Sequence, residues 1–137
     1  MLSIGDLSRK TGVKIPTVRY YEQMGLISAP ERSSGNQRRY STVELERLSF
    51  IKHARDLGLK IDAIRELLEL SAHPDQPCDN ANRIAAEHLA ETRARITKLQ
   101  RLEAELLRIT KGCHGDKIEN CYVIESLSNH ALCKDGH

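Results

Sequence analysis

From Asp79 to Lys111 the chain runs 33 residues without a proline or a glycine. At 1.5 Å per residue an α-helix over that stretch is roughly 50 Å long. Such a helix is too long to fold back onto one small core. Ala85, Leu89, Ile96, Leu99, Leu102, Leu106 and Ile109 form an apolar stripe along it, with charged residues between them. A stripe of this kind either packs against its own domain or pairs with another helix. The chain has no second helix of comparable length, so the expected partner is a second copy, in a coiled-coil homodimer. Gly112 stands where a left-handed C-terminal cap is expected.

The rest of the chain is small. With 137 residues, 39% hydrophobic and 29% charged, it fits one globular unit plus this extension. No stretch approaches the ~18 apolar residues of a membrane span. The amino end has no apolar run behind a basic cap, so a cytoplasmic rather than exported or membrane protein is expected. Four cysteines are too few for a disulfide scaffold. The net charge of +2 hides an asymmetry. Residues 1–58 carry ten Lys/Arg against six Asp/Glu, whereas residues 59–137 carry eleven against thirteen. The basic first part has the sign of a nucleic-acid-facing module.

Local signals divide that first part. Ser3-Ile4-Gly5-Asp6 matches a capping box, predicting a helix from about Ile4 to Lys10 that Thr11-Gly12 ends. Pro16 suits a first helical turn, and a second helix should run to about Met24 and stop at Gly25. Two short helices about a glycine turn are a helix-turn-helix candidate. Between Leu26 and Tyr40, two short arms around Ser33-Ser34-Gly35-Asn36 suggest a β-hairpin, or wing. Ser41-Thr42-Val43-Glu44 is a second capping box, opening a helix through Leu45, Leu48, Ile51 and Ala54 to Gly58. Ile61, Ile64, Leu67 and Leu68 predict another, to about Ala72. Pro74 and Pro77 then mark a boundary. The expected domains are a DNA-binding domain over 1–76, a dimerisation helix over 77–112, and a loop and tail over 113–137.

Three of the five aromatic side chains, Tyr20, Tyr21 and Tyr40, stand beside Arg19, Arg38 and Arg39. Tyr20 and Tyr21 cannot both point inward from one helix. An exposed phenol next to guanidinium groups suits phosphate oxygens. Lys14, Thr17 and Arg19 on the second helix are placed to reach base edges in the major groove.

The run Thr17-Val18-Arg19-Tyr20-Tyr21-Glu22 through Gly25-Leu26-Ile27, then Arg38-Arg39-Tyr40, then Ile51-Lys52-His53-Ala54-Arg55-Asp56-Leu57-Gly58-Leu59, resembles the MerR family of transcription regulators. The long helix and the cysteine loop after it resemble the metal-sensing branch. The resemblance implies a mainly α protein: a winged helix-turn-helix, a dimerisation helix in an antiparallel coiled coil, and a metal-binding loop with a short helix. It also implies a dyad operator in double-stranded DNA whose distortion lets RNA polymerase engage both promoter elements. By position it assigns DNA contact to Arg19, Tyr20, Arg38, Tyr40 and Arg55. The wing departs at Gln37, where many members carry a tyrosine.

The thiols are Cys78, Cys113, Cys121 and Cys133. Cys113 and Cys121 bracket a loop short enough to bring both sulfurs onto one ion. Asn120 is a candidate cap for a short helix to about Ser128, which puts Cys121 near a positive helix end that favours thiolate. Inert thiols or a disulfide are the ordinary alternatives. Cys78 and Cys113 lie at opposite ends of the long helix and cannot share a metal within one chain. If two helices pair antiparallel, Cys78 of one chain arrives beside Cys113 and Cys121 of the other. Centring the pairing between residues 95 and 96 sets Leu89 against Leu102 and Ala85 against Leu106, with Ile96 near the dyad.

Three thiolates suit Zn(II), Cd(II), Pb(II) or Hg(II). In the copper branch the position matching Cys78 resembles a serine, so Cys78 points to a divalent ion. His114 resembles a second loop ligand of zinc-responsive members. His130 and Cys133 are further donors by type. The expected function is activation of a metal efflux or resistance promoter. A Cys113–Cys121 redox switch on the same fold is the alternative. No nucleophile motif, phosphate loop or HExxH pattern supports an enzyme.

Overall fold

The computed structural model describes residues 1–28, 31–32, 35, 38–112 and 117–129. They form α1 (Ile4–Thr11), α2 (Ile15–Gln23), β1 (Glu31–Arg32), β2 (Arg38–Arg39), α3 (Thr42–Asp56), α4 (Ile61–Ser71), α5 (Asp79–Lys111), a 3-10 turn (Ile118–Asn120) and α6 (Tyr122–Ser128). Two compact units result, Met1–Asn82 and a second from Arg83 onward. Among the described residues no helix is long and apolar enough to cross a membrane.

The first unit is built around α3. α1 packs on α2 and α3, and α3 on α4. Leu7, Val18, Leu26, Leu48, Ile51 and Ile64 are fully buried. Each such side chain contributes about 1.5–3 kcal/mol relative to exposure. Both α1 ends follow local chemistry. The Ser3 hydroxyl accepts from the Asp6 N–H, and the Asp6 carboxylate accepts from the Ser3 N–H, both at 3.1 Å. At the other end Gly12 takes φ +77°, where a side chain would be strained.

The second capping box is only half formed. The Ser41 hydroxyl accepts from the Glu44 N–H at 3.4 Å. The Glu44 carboxylate does not return to Ser41. It accepts instead from the Ser28 N–H at 3.1 Å and the Ser28 hydroxyl at 3.0 Å. A buried carboxylate is better satisfied by two donors than by one. The wing is minimal, an antiparallel ladder with Glu31 opposite Arg39 and Arg32 opposite Arg38. Its return arm is anchored by Tyr40, which exchanges two 2.7 Å main-chain hydrogen bonds with Leu2.

α5, most of which belongs to the second unit, keeps its expected bounds. Leu89, Ile96, Leu99 and Leu106 of the stripe are exposed, Leu99 and Leu106 by more than 60%. Leu99, Leu102, Leu106 and Leu107 line a shallow apolar hollow of about 510 Å³. Ile109 departs from the stripe, being 5% exposed within the single chain, one turn beyond the buried Glu105. Gly112 also departs from expectation. Among the described residues the glycines with positive φ are Gly12, Gly25 and Gly58, and Gly112 is not among them. A Cβ on Gly112 would lie 2.7 Å from Tyr122 Cε1 and closer to Cδ1. The residue is small because a ring rests on it.

Candidate nucleic-acid interface and thiol positions

The turn between α1 and α2 sets the outward face of α2 by side-chain economy. The Thr11 hydroxyl donates to the Leu7 carbonyl at 2.7 Å and accepts from the Val13 N–H at 3.2 Å. Val13 is thereby buried, and Lys14 is extended at the N-cap of α2 rather than inside it. Within α2, Val18 and Tyr21 turn inward. Their burial leaves Arg19 exposed, Thr17 half-buried and Tyr20 49% exposed. One tyrosine in and one out is the expected division.

Lys14, Thr17 and Arg55 meet around a hollow of about 220 Å³, also lined by Gly12, Val13, Tyr21, Lys52 and Asp56. Arg55 donates to the Leu59 carbonyl at 2.9 Å, which ties its guanidinium to the turn between α3 and α4. Lys52 was not among the expected contacts. It lies one turn before Asp56 and pairs with it at 2.9 Å. The hollow thus carries three cations against one carboxylate, a charge balance that suits a phosphate.

Tyr40 requires a correction. It is expected at the DNA, but its side chain is 0% exposed, and its hydroxyl donates to the Glu22 carboxylate at 2.8 Å. The phenol joins the wing's return arm to α2 from inside the core, so no side-chain surface is left for a phosphate. Nothing in the sequence marks Glu22 as its acceptor. Arg38 lies in β2, and its side chain is outside the described residues.

Of the proposed metal ligands, Cys113 and His114 lie outside the described residues, as do His130 and Cys133. Cys78 is a free, exposed thiol and Cys121 a free, half-buried one. The Cys78 carbonyl accepts from the Asn82 N–H at 2.9 Å, so Cys78 opens the first turn of the long helix. It lines an apolar hollow of about 280 Å³ with Phe50, Leu67, Leu70, Pro77 and others, His73 among them. The N-cap of α6 is Cys121, one residue later than the expected Asn120. Among the described residues no three His, Cys, Asp or Glu side chains gather as a metal site. Cys78 precedes the 33-residue α5 and Cys121 follows it. Both are thiols, soft donors of the kind thiophilic ions take.

Two short helices about a glycine turn, an outward basic face on the second and a hairpin behind them define a winged helix-turn-helix DNA-binding protein. Two family models match the chain, one described as "MerR HTH family regulatory protein" over residues 2–71 and one as "MerR, DNA binding" over 45–109. The chain belongs to the MerR family of transcription regulators and is not an enzyme. It is 36% identical over 134 residues to the HTH-type transcriptional regulator ZntR of Escherichia coli, covering 96% of this chain and 95% of that protein. It is 35% identical over 128 residues to heavy metal-dependent transcription regulator 2 of Rhizobium meliloti, covering 93% and 87%. The structure of the transcription regulator PbrR691 from Ralstonia metallidurans in complex with lead(II) superposes with a TM-score of 0.80. The two share 37% sequence identity over 93% of this chain and 99% of that one.

Proposed function

We propose that this chain is a metal-responsive activator that works as a homodimer on operator DNA and answers to a divalent thiophilic ion: Zn(II), Cd(II), Pb(II) or Hg(II). One observation carries the reading. Two free thiols stand before and after α5, the helix that leaves Leu89, Ile96, Leu99 and Leu106 of its apolar stripe exposed in the single chain. Antiparallel pairing of two such helices brings Cys78 of one protomer to Cys113 and Cys121 of the other. His114 or solvent completes four-coordination for zinc, and lead or mercury takes the sulfurs alone. The relatives named for heavy metals and the lead(II) complex support the same class of effector.

DNA is held by Lys14, Thr17, Arg19 and Tyr20 from the helix-turn-helix, by Arg55 at the end of α3 and by Arg38 from the wing. When bound, the ion orders the loop at the end of α5 and biases the dimer toward the DNA-distorting state. RNA polymerase then engages the promoter of a metal efflux or resistance gene.

The test is a Co(II) titration of the dimer together with transcription from the cognate promoter. A cobalt–thiolate band lost in Cys78→Ser, with activation lost in parallel, is the expected result. An unchanged band in Cys78→Ser would remove the shared site. Thiol titration with and without peroxide separates the metal response from a Cys113–Cys121 redox switch.

A further inference from the structure

We propose that Arg108 and Tyr122 are positioning residues that close the neck of the 113–121 loop before any metal arrives. The inference rests on the metal-sensing reading above. α6 meets α5 through Tyr122, and Ser126 one turn later on α6 is 1% exposed. The Tyr122 ring lies against Gly112 so closely that no Cβ fits there. Its hydroxyl accepts from Arg108 Nη1, while Nη2 of the same guanidinium pairs with the buried Glu105 carboxylate. The guanidinium carbon is 5.6 Å from the ring centroid. With one N–H on the phenol oxygen it sits toward the hydroxyl edge, so the hydrogen bond holds it more than the ring face does.

Chain order gives this clamp its consequence. Cys113 follows Gly112 directly, and Cys121 directly precedes Tyr122. A contact between residues 112 and 122 therefore has the two loop thiols as its immediate neighbours. Adjacent Cα atoms are about 3.8 Å apart, and the clamp fixes the residues next to the two thiols in sequence, Gly112 before Cys113 and Tyr122 after Cys121. Without it, the ion itself must bring the two ends of the loop together and overcome the closure entropy. Glu105 anchors the arrangement, because a carboxylate only 5% exposed is not released from its cation without cost.

The experiment measures Zn(II) affinity of the full-length dimer by competition with a chromophoric chelator, alongside the Co(II) thiolate band and apo operator affinity. Removal of outer-shell support costs roughly 10- to 100-fold in metal affinity. Tyr122→Ala and Arg108→Ala are expected to weaken zinc binding by about that factor. The cobalt band at saturation should keep its energy and intensity, because the ligand set is untouched, and operator affinity of the apo dimer should not change. Tyr122→Phe keeps the ring on Gly112 and loses the hydroxyl, so its loss should be intermediate; it also stands in should Tyr122→Ala fail to fold. Zinc affinity within twofold of wild type in Arg108→Ala and Tyr122→Phe, with Cys121→Ser abolishing the band, would overturn the clamp and leave the metal reading intact. A wild-type dimer with no band and no zinc binding overturns both.

Discussion

The Tyr40 hydroxyl donates to the Glu22 carboxylate at 2.8 Å, from a side chain with no exposed surface. The wing's return arm and the outward-facing helix α2 are thus joined inside the fold rather than through DNA. Tyr40→Phe should cost about 1.5 kcal/mol, the low end for a hydrogen bond to a charged group, because half-buried Glu22 recovers some water. Tyr40→Ala leaves a cavity and should cost about 3–5 kcal/mol. Urea denaturation measures both. Operator affinity of folded Tyr40→Phe should fall less than that of Arg19→Ala; the reverse order would return Tyr40 to the interface.

Asp6 links the first helix to pH. Donation from the Ser3 N–H, then from the Ser3 hydroxyl, with the Arg9 cation nearby, holds its carboxyl below the ordinary value of 3.8. The folded state therefore releases this proton more readily than the unfolded chain does. The stabilisation is present above the unfolded value and is lost as pH falls through the lower folded one. Asp6→Asn should flatten the acid limb of the stability–pH curve and leave its slope near neutrality unchanged. An acid limb identical to wild type would exclude Asp6 as a contributor.

Salt sorts the cations around the turn. If Lys14 and Arg19 each neutralise one phosphate, Lys14→Ala and Arg19→Ala should each lower the slope of log K against log salt by about 1. Lys52→Ala should lower it less, since its ammonium is paired with Asp56 at 2.9 Å. Arg55→Ala should also lower thermal stability, because its guanidinium holds the Leu59 carbonyl. Operator titrations over a range of salt check the ranking.

The legible parts of the sequence were those set by local chemistry. The Ser3–Asp6 box, the helix stops at Gly12, Gly25 and Gly58, and the proline-free run of α5 each depend on neighbours in the chain. What escaped depends on distant partners. Glu44 follows a capping-box pattern, yet Ser28 takes its carboxylate from sixteen residues away. Gly112 looks like a left-handed cap, but the reason for it is Tyr122, ten residues on. Tyr40 sits in a basic stretch that suits phosphate contact, and only the path of the wing's return arm shows that it points inward. The thiols were legible as a donor set, whereas the meeting proposed for them would be a property of two chains.

That meeting makes Ile96 the most informative position on α5. It is 49% exposed in the single chain. In the antiparallel register centred between residues 95 and 96, the two copies of Ile96 lie near the dyad. Ile96→Glu would then bring two carboxylates together in a desolvated seam. An uncompensated buried charge costs about 3–5 kcal/mol. At 1.4 kcal/mol per decade, dimer dissociation should shift by roughly two to four orders of magnitude. Sedimentation velocity should show monomer at concentrations where the wild type is dimeric, and Ile96→Leu should stay dimeric. Because Cys78 and Cys121 are shared between protomers in this arrangement, monomeric Ile96→Glu should also lose its cobalt–thiolate band with every cysteine still present. Loss of the band together with the dimer ties the metal to the seam. A monomer that keeps the wild-type band would place all the ligands within one chain and rule out cross-chain ligation.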